Sequence, residues 1–231
     1  MQTILETDNN FVCEIDAPCF QSLTQDEIEI VKRSRTQVQF WKGENLAKQG
    51  AFASYILFVI KGLAKIYVED ESDRKYNITI VQAGDFVGLS AVFEKPVFEY
   101  SAVAITDTQV YLVDKSALYN IIHKNSDFAY KMMLRYSNID RSLHETIKKL
   151  IFKQMNGRMA DVLLYLSSER FANEEIFINL SRKDIADFVG ISTESAVKLL
   201  KSFEKDEIIK LEEKNIHILN KKMLEEISKR G

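Results

Sequence analysis

Cysteine, proline and glycine are all scarce in this chain, and each shortage excludes a class of protein. The 231 residues include two cysteines, Cys13 and Cys19, which are too few for a disulfide framework. Eight glycines and two prolines are few for a purely β protein, whose turns consume both residue types. The sequence also lacks a run of 18 or more uncharged apolar residues, so we expect no membrane-spanning segment.

The sequence also has no large excess of positive or of negative charge. The 31 Lys and Arg residues face 34 Asp and Glu residues, and the formal net charge is −3. A protein that coats nucleic acid non-specifically is usually basic, so any nucleic-acid contact here must be local. The amino-terminal residues lack a cationic segment followed by a continuous apolar one, so we expect no signal peptide and a soluble, cytoplasmic protein.

Short segments that alternate polar and apolar residues fill the first half of the chain. Residues 1–21 are expected to be irregular, and a helix over residues 25–34, capped by Thr24, is expected before the strands. Many short strands with few helices between them predict an antiparallel barrel or jelly roll. The predicted strands span residues 36–40, 55–60, 64–68, 76–81, 101–105 and 109–113.

The pattern becomes helical after Asp114, with a short helix over residues 115–122 and a long one over 127–153. Apolar residues recur along the long helix at alternating spacings of four and three, and a seam this narrow is typical of a helix that pairs with its own copy. The alternative is a helix that packs on the barrel of its own chain. Asn156 and Gly157 are expected to break or bend the long helix. The seam residues are Met132, Tyr136, Ile139, Leu143, Thr146 and Leu150.

Residues 180–218 predict a helix-turn-helix unit followed by a β-hairpin wing. We expect Ser181 to cap the first helix, Gly190 to end it and Ser192 to cap a second helix from Thr193 to Lys205. Two short helices joined by a turn that contains glycine are typical of this unit. Two apolar segments, 208–211 and 216–219, flank four polar residues and predict the hairpin.

A helix-turn-helix unit reads DNA by placing the start of its second helix in the major groove. The exposed residues expected at the base edges are Thr193, Glu194, Ser195 and Lys198. The residues expected at phosphates are Arg182, Lys183, Lys201 and Lys214. An alternative is a small helical lid with a solvated charged face, because residues 156–231 carry 13 Lys and Arg against 14 Asp and Glu. The order of helices, turn and caps favours DNA binding.

Taken together, these features resemble the Crp/Fnr family of bacterial transcription regulators over nearly the whole chain. The resemblance rests on 41–44 and 84–88 in the barrel, on 156–160 after the long helix, and on the two helices of 180–195. It implies an α+β protein with an N-terminal antiparallel jelly-roll barrel of the cyclic-nucleotide-binding type, a dimerisation helix and a C-terminal winged helix-turn-helix. Its implied partners are double-stranded DNA, a second copy bound through 127–153, and RNA polymerase.

The resemblance also divides the chain into parts. It implies an N-terminal segment over 1–21, an effector domain over 22–126, a dimerisation helix with its hinge over 127–155 and a DNA-binding domain over 156–231. In the family's DNA-reading triad, Glu194 is retained, while Thr193 and Lys198 differ from the usual residues. The preferred site is therefore expected to differ from the one best known in the family.

The effector pocket departs further from the family pattern. Leu89 stands where cyclic AMP binders carry the carboxylate that binds ribose, and Tyr100 stands where they carry the arginine that binds phosphate. Burying a phosphate without a fixed cation is costly, which argues against cyclic AMP. We expect another effector or a vestigial pocket. The matching pocket positions are Gly88, Leu89, Ser90, Tyr100, Ser101, Leu143 and His144.

Other chemistries find less support in the sequence. Two cysteines without a Cys-x-x-Cys pair do not support an iron–sulfur cluster within one subunit, and no pattern of metal ligands predicts a metal site or other cofactor. No arrangement of nucleophile, base and orienting residue predicts an enzyme. A second hypothesis is a ligand-binding regulator whose winged helix contacts another protein, which the acidic balance of the C-terminal part keeps open.

Overall fold

The computed structural model describes residues 1–8, 11–12, 20–93 and 96–231. They form two compact units, one made of residues 1–73 and 78–141 and the other of residues 74–77 and 142–231. Cys13 and Cys19 lie outside the described residues.

Two β-sheets and a shared apolar core make up most of the first unit. The strands are β1 (Gln2–Ile4), β2 (Arg35–Phe40), β3 (Asn45–Ala47), β4 (Tyr55–Lys61), β5 (Ala64–Glu69), β6 (Lys75–Val81), β7 (Phe86–Val87), β8 (Ser101–Ala104) and β9 (Thr108–Asp114). One sheet has the order β1-β2-β9-β4-β7 and the other the order β3-β8-β5-β6. This arrangement confirms the predicted jelly roll.

Apolar residues on the inner faces of these strands determine the register. Val38 of β2 lies opposite Val110 of β9, and Ile56 of β4 lies opposite Val113. All four side chains are buried in one continuous core. A shift of one residue would turn this whole set of side chains toward the solvent, so the alternating pattern specifies the pairing.

The six predicted strands are confirmed to within one residue at each end, but the prediction that residues 1–21 are irregular is wrong at β1. There Thr3 pairs with Val38 at the edge of the sheet. Strands β1, β3 and β7 are two or three residues long, which is too short for an alternating pattern to be recognised.

The described residues of this part of the chain also form three α-helices, α1 (Gln25–Arg33), α2 (Lys115–Lys124) and α3 (Ser126–Phe152). The predicted cap of α1 is confirmed, because the Glu27 N–H donates to Thr24 Oγ1 over 3.3 Å while the Thr24 N–H donates to Glu27 Oε2 over 2.8 Å. Helix α3 runs from the first unit into the second, and its part in the second unit begins at Ser142.

The apolar seam of α3 divides into a buried start and an exposed remainder. Met132 is buried in the core of the first unit, whereas Tyr136, Ile139, Leu143 and Leu150 are each more than a third exposed. The same chain therefore covers these four positions only in part, and the Tyr136 ring lies 6.3 Å from the Phe93 ring of the barrel.

The second unit is mostly helical, with one hairpin. It contains α4 (Met155–Leu166), α5 (Ile176–Asn179), α6 (Arg182–Val189), α7 (Thr193–Lys205), the strands β10 (Ile209–Glu212) and β11 (Asn215–Ile218), and α8 (Lys221–Arg230). The helix-turn-helix and wing predictions are confirmed, since α6, α7 and the antiparallel hairpin follow one another as expected.

The expected break at Asn156 and Gly157 is wrong, because the long helix ends at Phe152 and both residues lie in the first turn of α4. The glycine serves packing instead. A Cβ atom on Gly157 would lie 2.8 Å from the Cα atom of Gly231, so only glycine allows this close approach between α4 and the residue after α8.

Candidate nucleic-acid interface

The turn between α6 and α7 is built by three short-range features. Gly190 adopts φ 71°, a left-handed conformation that favours glycine, and its N–H donates to the Ala186 carbonyl over 2.9 Å. Ser192 Oγ then accepts the Ser195 N–H over 3.1 Å and caps α7. The turn therefore defines where α7 starts.

The core beneath the turn holds the two helices together. Ile185 and Ala186 of α6 are buried, as are Leu200 and Phe203 of α7. Ala186 is completely inaccessible to solvent. The exposed faces of both helices are thereby left for contacts outside the chain.

Two of the four predicted base-reading residues form an ion pair on the exposed face of α7. Lys198 Nζ lies 2.6 Å from Glu194 Oε1, and the two side chains are 75% and 78% exposed. An exposed pair at this spacing contributes about 0.3–0.5 kcal/mol, so both side chains can turn to another partner at little cost. Thr193, one residue before Glu194, is exposed as well.

The fourth predicted base-reading residue, Ser195, is already engaged. Its Oγ lies 2.9 Å from Ser192 Oγ, and its side chain is only partly exposed. The structure thus brings Thr193, Glu194 and Lys198 to one exposed surface and directs the Ser195 hydroxyl into the cap of the helix.

Arg182, predicted to contact phosphate, makes two hydrogen bonds to the wing. Its guanidinium donates to the Glu213 carbonyl over 3.1 Å and to the Lys214 carbonyl over 3.3 Å, at the turn between β10 and β11. Burial lowers the pKa of Arg182, although Glu204 opposes the shift, and an arginine with a lowered pKa is still charged at physiological pH. Arg182 therefore holds the wing turn beside the start of α6.

The other predicted phosphate contacts, Lys183, Lys201 and Lys214, are exposed. They lie in the first turn of α6, on α7 and at the tip of the wing. The solvent face of the wing also carries Glu212, whose carboxylate pairs with Lys210 and, over 3.0 Å, with His217 Nε2. The hydrogen bond from Lys210 lowers the pKa of the Glu212 carboxyl, so one negative charge sits between two basic side chains.

In the predicted effector pocket of the barrel, the backbone N–H of Gly88 has a hydrogen-bond acceptor within the chain. Gly88 adopts φ 81°, and its N–H donates to the Tyr100 hydroxyl over 2.8 Å. Burial raises the pKa of Tyr100, so the hydroxyl stays neutral. Leu89 is buried, and the Phe98 ring lies so close to Gly88 that a Cβ atom there would approach it to 2.5 Å.

The remaining pocket positions are divided between the two units. Ser101 is buried and its Oγ accepts the Gln49 N–H over 3.0 Å, while Ser90 is partly exposed in a short 3₁₀ helix, Leu89–Val92. Leu143 and His144 are exposed on the part of α3 that belongs to the second unit. Within the first unit, the polar atoms of Gly88, Tyr100 and Ser101 are therefore committed to one another or to the chain.

Sequence reasoning missed the role of Arg158 at the start of α4. Its guanidinium donates to the Val189 carbonyl over 2.9 Å and to the Lys153 carbonyl over 3.0 Å. Arg158 was part of the motif that carried the family resemblance, but its partners lie five residues before it and 31 residues after it. No local pattern relates these positions.

Two kinds of feature are absent from the residues that the structure describes. No group of three or more His, Cys, Asp or Glu side chains among them could hold a metal ion. No helix in the described ranges is long and apolar enough to cross a membrane.

Comparison with known proteins matches both units. Residues 37–125 match the family model of the cyclic nucleotide-binding domain, and residues 157–227 match that of the Crp-like helix-turn-helix domain. The chain is 26% identical over 213 residues to a CRP-like cAMP-activated global transcriptional regulator of Mycobacterium tuberculosis, covering 90% of this chain and 95% of the relative. It is 25% identical over 205 residues to the anaerobic regulatory protein of Bacillus subtilis, covering 87% and 86%.

A solved structure shows the same fold. FixK2 from Bradyrhizobium japonicum superposes with a TM-score of 0.74 at 24% sequence identity, covering 84% of this chain and 96% of that one. At this level of identity the likeness concerns the fold alone.

Proposed function

Because this chain belongs to the Crp/Fnr family of DNA-binding transcription regulators, we propose that it binds a pseudo-palindromic promoter site as a homodimer under the control of a signal sensed by its barrel. The exposed first turn of α7 is the observation that carries this proposal. The Gly190 turn and the Ser192 cap present Thr193, Glu194 and Lys198 together, at the end of the helix that enters a major groove.

The three exposed side chains differ in what they can read. Glu194 accepts a hydrogen bond from the amino group of cytosine, and Lys198 donates to the acceptors of guanine or to a phosphate. Thr193 can contact a thymine methyl group or a polar base edge. Lys183, Lys201 and Lys214 provide sequence-independent phosphate contacts, whereas Arg182 acts indirectly by holding the wing.

The exposed seam of α3 supports the homodimer. Tyr136, Ile139, Leu143 and Leu150 follow heptad spacing and are each more than a third exposed, and Ile147 beside them is 52% exposed. A continuous apolar stripe of this kind marks an interaction surface. Two copies paired along it carry two α7 helices, which suits half-sites about one helical turn apart.

The signal is proposed to be something other than cyclic AMP. The M. tuberculosis relative is named for activation by cAMP, but here Tyr100 replaces the arginine expected at the phosphate, and its hydroxyl accepts the Gly88 N–H. A phosphate placed there would meet a neutral hydroxyl and the buried Leu89 side chain. RNA polymerase is the proposed partner of the DNA-bound dimer.

Selection of duplexes from a random pool by the purified protein, at physiological salt, tests the DNA-binding proposal. We expect enrichment of a pseudo-palindrome. Glu194→Ala is expected to relax the preference at one base pair of each half-site, a change of about 1–3 kcal/mol in discrimination. Lys183→Ala is expected to weaken binding to all sequences alike and to reduce the salt slope by about 1.

Two matched variants serve as controls for these substitutions. Glu225→Ala on α8 and Lys124→Ala on α2 remove the same charges from exposed positions away from the proposed contacts. Unchanged selection by both Glu194→Ala and Lys183→Ala would contradict the proposed contact surface. Failure of the unmodified protein to enrich any site, with or without cell extract, would favour a regulator that acts through protein contacts.

A further inference from the structure

Arg158 joins two helix ends within the second unit. Its Nε–H donates to the carbonyl of Val189, the last residue of α6, and one Nη donates to the carbonyl of Lys153, directly after α3. The same Nη lies 3.5 Å from the Leu150 carbonyl. One side chain therefore contacts both the end of the long helix and the first helix of the DNA-reading pair.

The partners of Arg158 are backbone carbonyls at helix ends, which accept no hydrogen bond from within their own helix. The last four carbonyls of a helix have no partner within it, and the carboxyl end carries a partial negative charge. A guanidinium presents its donors in a fixed planar fork, so two bonds fix its direction. Because these bonds involve a charged donor, they are stronger than neutral ones.

A second set of contacts holds the junction between the end of α3 and the following helices. Lys153 Nζ donates to both carboxylate oxygens of Asp161 over 2.9 and 2.8 Å and lies 3.1 Å from Ser228 Oγ. This cluster fastens the residue after α3 to α4 and α8. Arg158 adds the connection to α6, so the end of α3 and the helix-turn-helix are fixed to a common point.

We infer that Arg158 is a positioning residue that fixes the direction of the helix-turn-helix against the end of α3 and thereby determines the half-site spacing that a dimer accepts. This inference rests on the proposed function. In a dimer joined through α3, a fixed junction places the two α7 helices at one separation. Each base pair added between half-sites displaces them by about 3.4 Å, so a rigid junction penalises a changed spacing.

The variant Arg158→Lys tests the inference, because lysine keeps the charge but lacks the planar fork of donors. Its binding is measured on duplexes whose central spacer is shortened or lengthened by one base pair. We expect the variant to discriminate between the best spacer and the altered ones at least about fivefold less than the unmodified protein. Its affinity for a duplex with a single half-site should stay within about twofold. Unchanged discrimination between spacers would overturn the inference.

A distance measurement decides the same question without DNA. Spin labels are attached at Ser142→Cys and Ser202→Cys, which are both exposed in the second unit, and the distance between the two labels of one chain is measured. Cys13 and Cys19 are replaced by serine so that they are not labelled. Labelled protomers are diluted in unlabelled ones so that only distances within one chain are recorded. We expect Arg158→Lys to broaden the distance distribution, and an unchanged width would overturn the inference. If the unmodified protein enriches no DNA site, the proposed function fails, while this measurement still tests Arg158.

Arg170→Lys is the matched control for both experiments. Arg170 belongs to the same unit, and its guanidinium stacks over the Phe171 ring at 5.5 Å. The substitution makes the same chemical change away from the junction. A similar change in spacer discrimination or in distance width in this variant would show that loss of an arginine anywhere in the unit has the effect, and would overturn the specific role of Arg158.

Discussion

The Tyr100 hydroxyl is a hydrogen-bond partner inside the proposed effector pocket. At the position where the family resemblance implies a cation in cyclic AMP binders, this neutral hydroxyl accepts the Gly88 N–H over 2.8 Å. Gly88 and Leu89 are buried beside it. The hydroxyl thus satisfies a buried donor that would otherwise need a ligand or water.

Tyr100→Phe is expected to destabilise the first unit by about 1–3 kcal/mol, because the Gly88 N–H loses its acceptor while it stays buried. Denaturant unfolding followed by a signal from the barrel measures the change. Tyr119→Phe, on the exposed side of α2, is the control and is expected to change stability by less than about 0.5 kcal/mol. Equal stability of Tyr100→Phe and the unmodified protein would mean that water replaces the hydroxyl.

At the scale of the helix, the start of α7 depends on a single hydroxyl. Ser192→Ala removes the acceptor of the Ser195 N–H and is expected to cost about 1 kcal/mol, with a frayed first turn that weakens DNA binding. Hydrogen exchange at the amides of 194–196 reports the fraying directly. Ser202→Ala, at an exposed interior position of the same helix, should leave that exchange unchanged, and slow exchange in Ser192→Ala would refute the role of the cap.

Helix ends and turns could be predicted from the sequence because their causes are local. Ser181, Gly190 and Ser192 act on residues within four positions of themselves, so the bounds of α6 and α7 were predicted correctly. The long-range contacts of Arg158 and Arg182 could not be predicted in this way. Their acceptors are backbone carbonyls, which every residue carries and which leave no mark in the sequence.

Contacts with distant residues also account for the two wrong predictions about the fold. The strand Gln2–Ile4 exists because β2 offers a free edge, which three residues cannot reveal by their own pattern. Gly157 was expected to interrupt a helix, whereas its missing side chain makes room for the backbone of Gly231. In both cases a distant part of the chain overrides the local preference.

At the scale of the whole molecule, the exposed seam of α3 is the contact that brings two DNA-reading helices together in the proposed homodimer. Ile139→Glu places a charge in the apolar stripe and is expected to yield a monomer by sedimentation velocity. Its affinity for the full palindrome should fall about 100-fold or more, since the second contact is no longer intramolecular, while binding to a single half-site persists. Asn138→Glu, exposed on the same helix but outside the seam, should remain dimeric.

The Glu194–Lys198 pair has a consequence for how such a regulator finds its target. The two opposite charges on the proposed base-reading turn of α7 cancel at 2.6 Å, so an arbitrary stretch of duplex gains little attraction from this pair. Because their mutual contact contributes only about 0.3–0.5 kcal/mol, a sequence that offers partners to both side chains replaces it at little cost. A genome presents about 10⁶–10⁹ competing positions, and brief visits to each of them leave the protein free for the few sites that match.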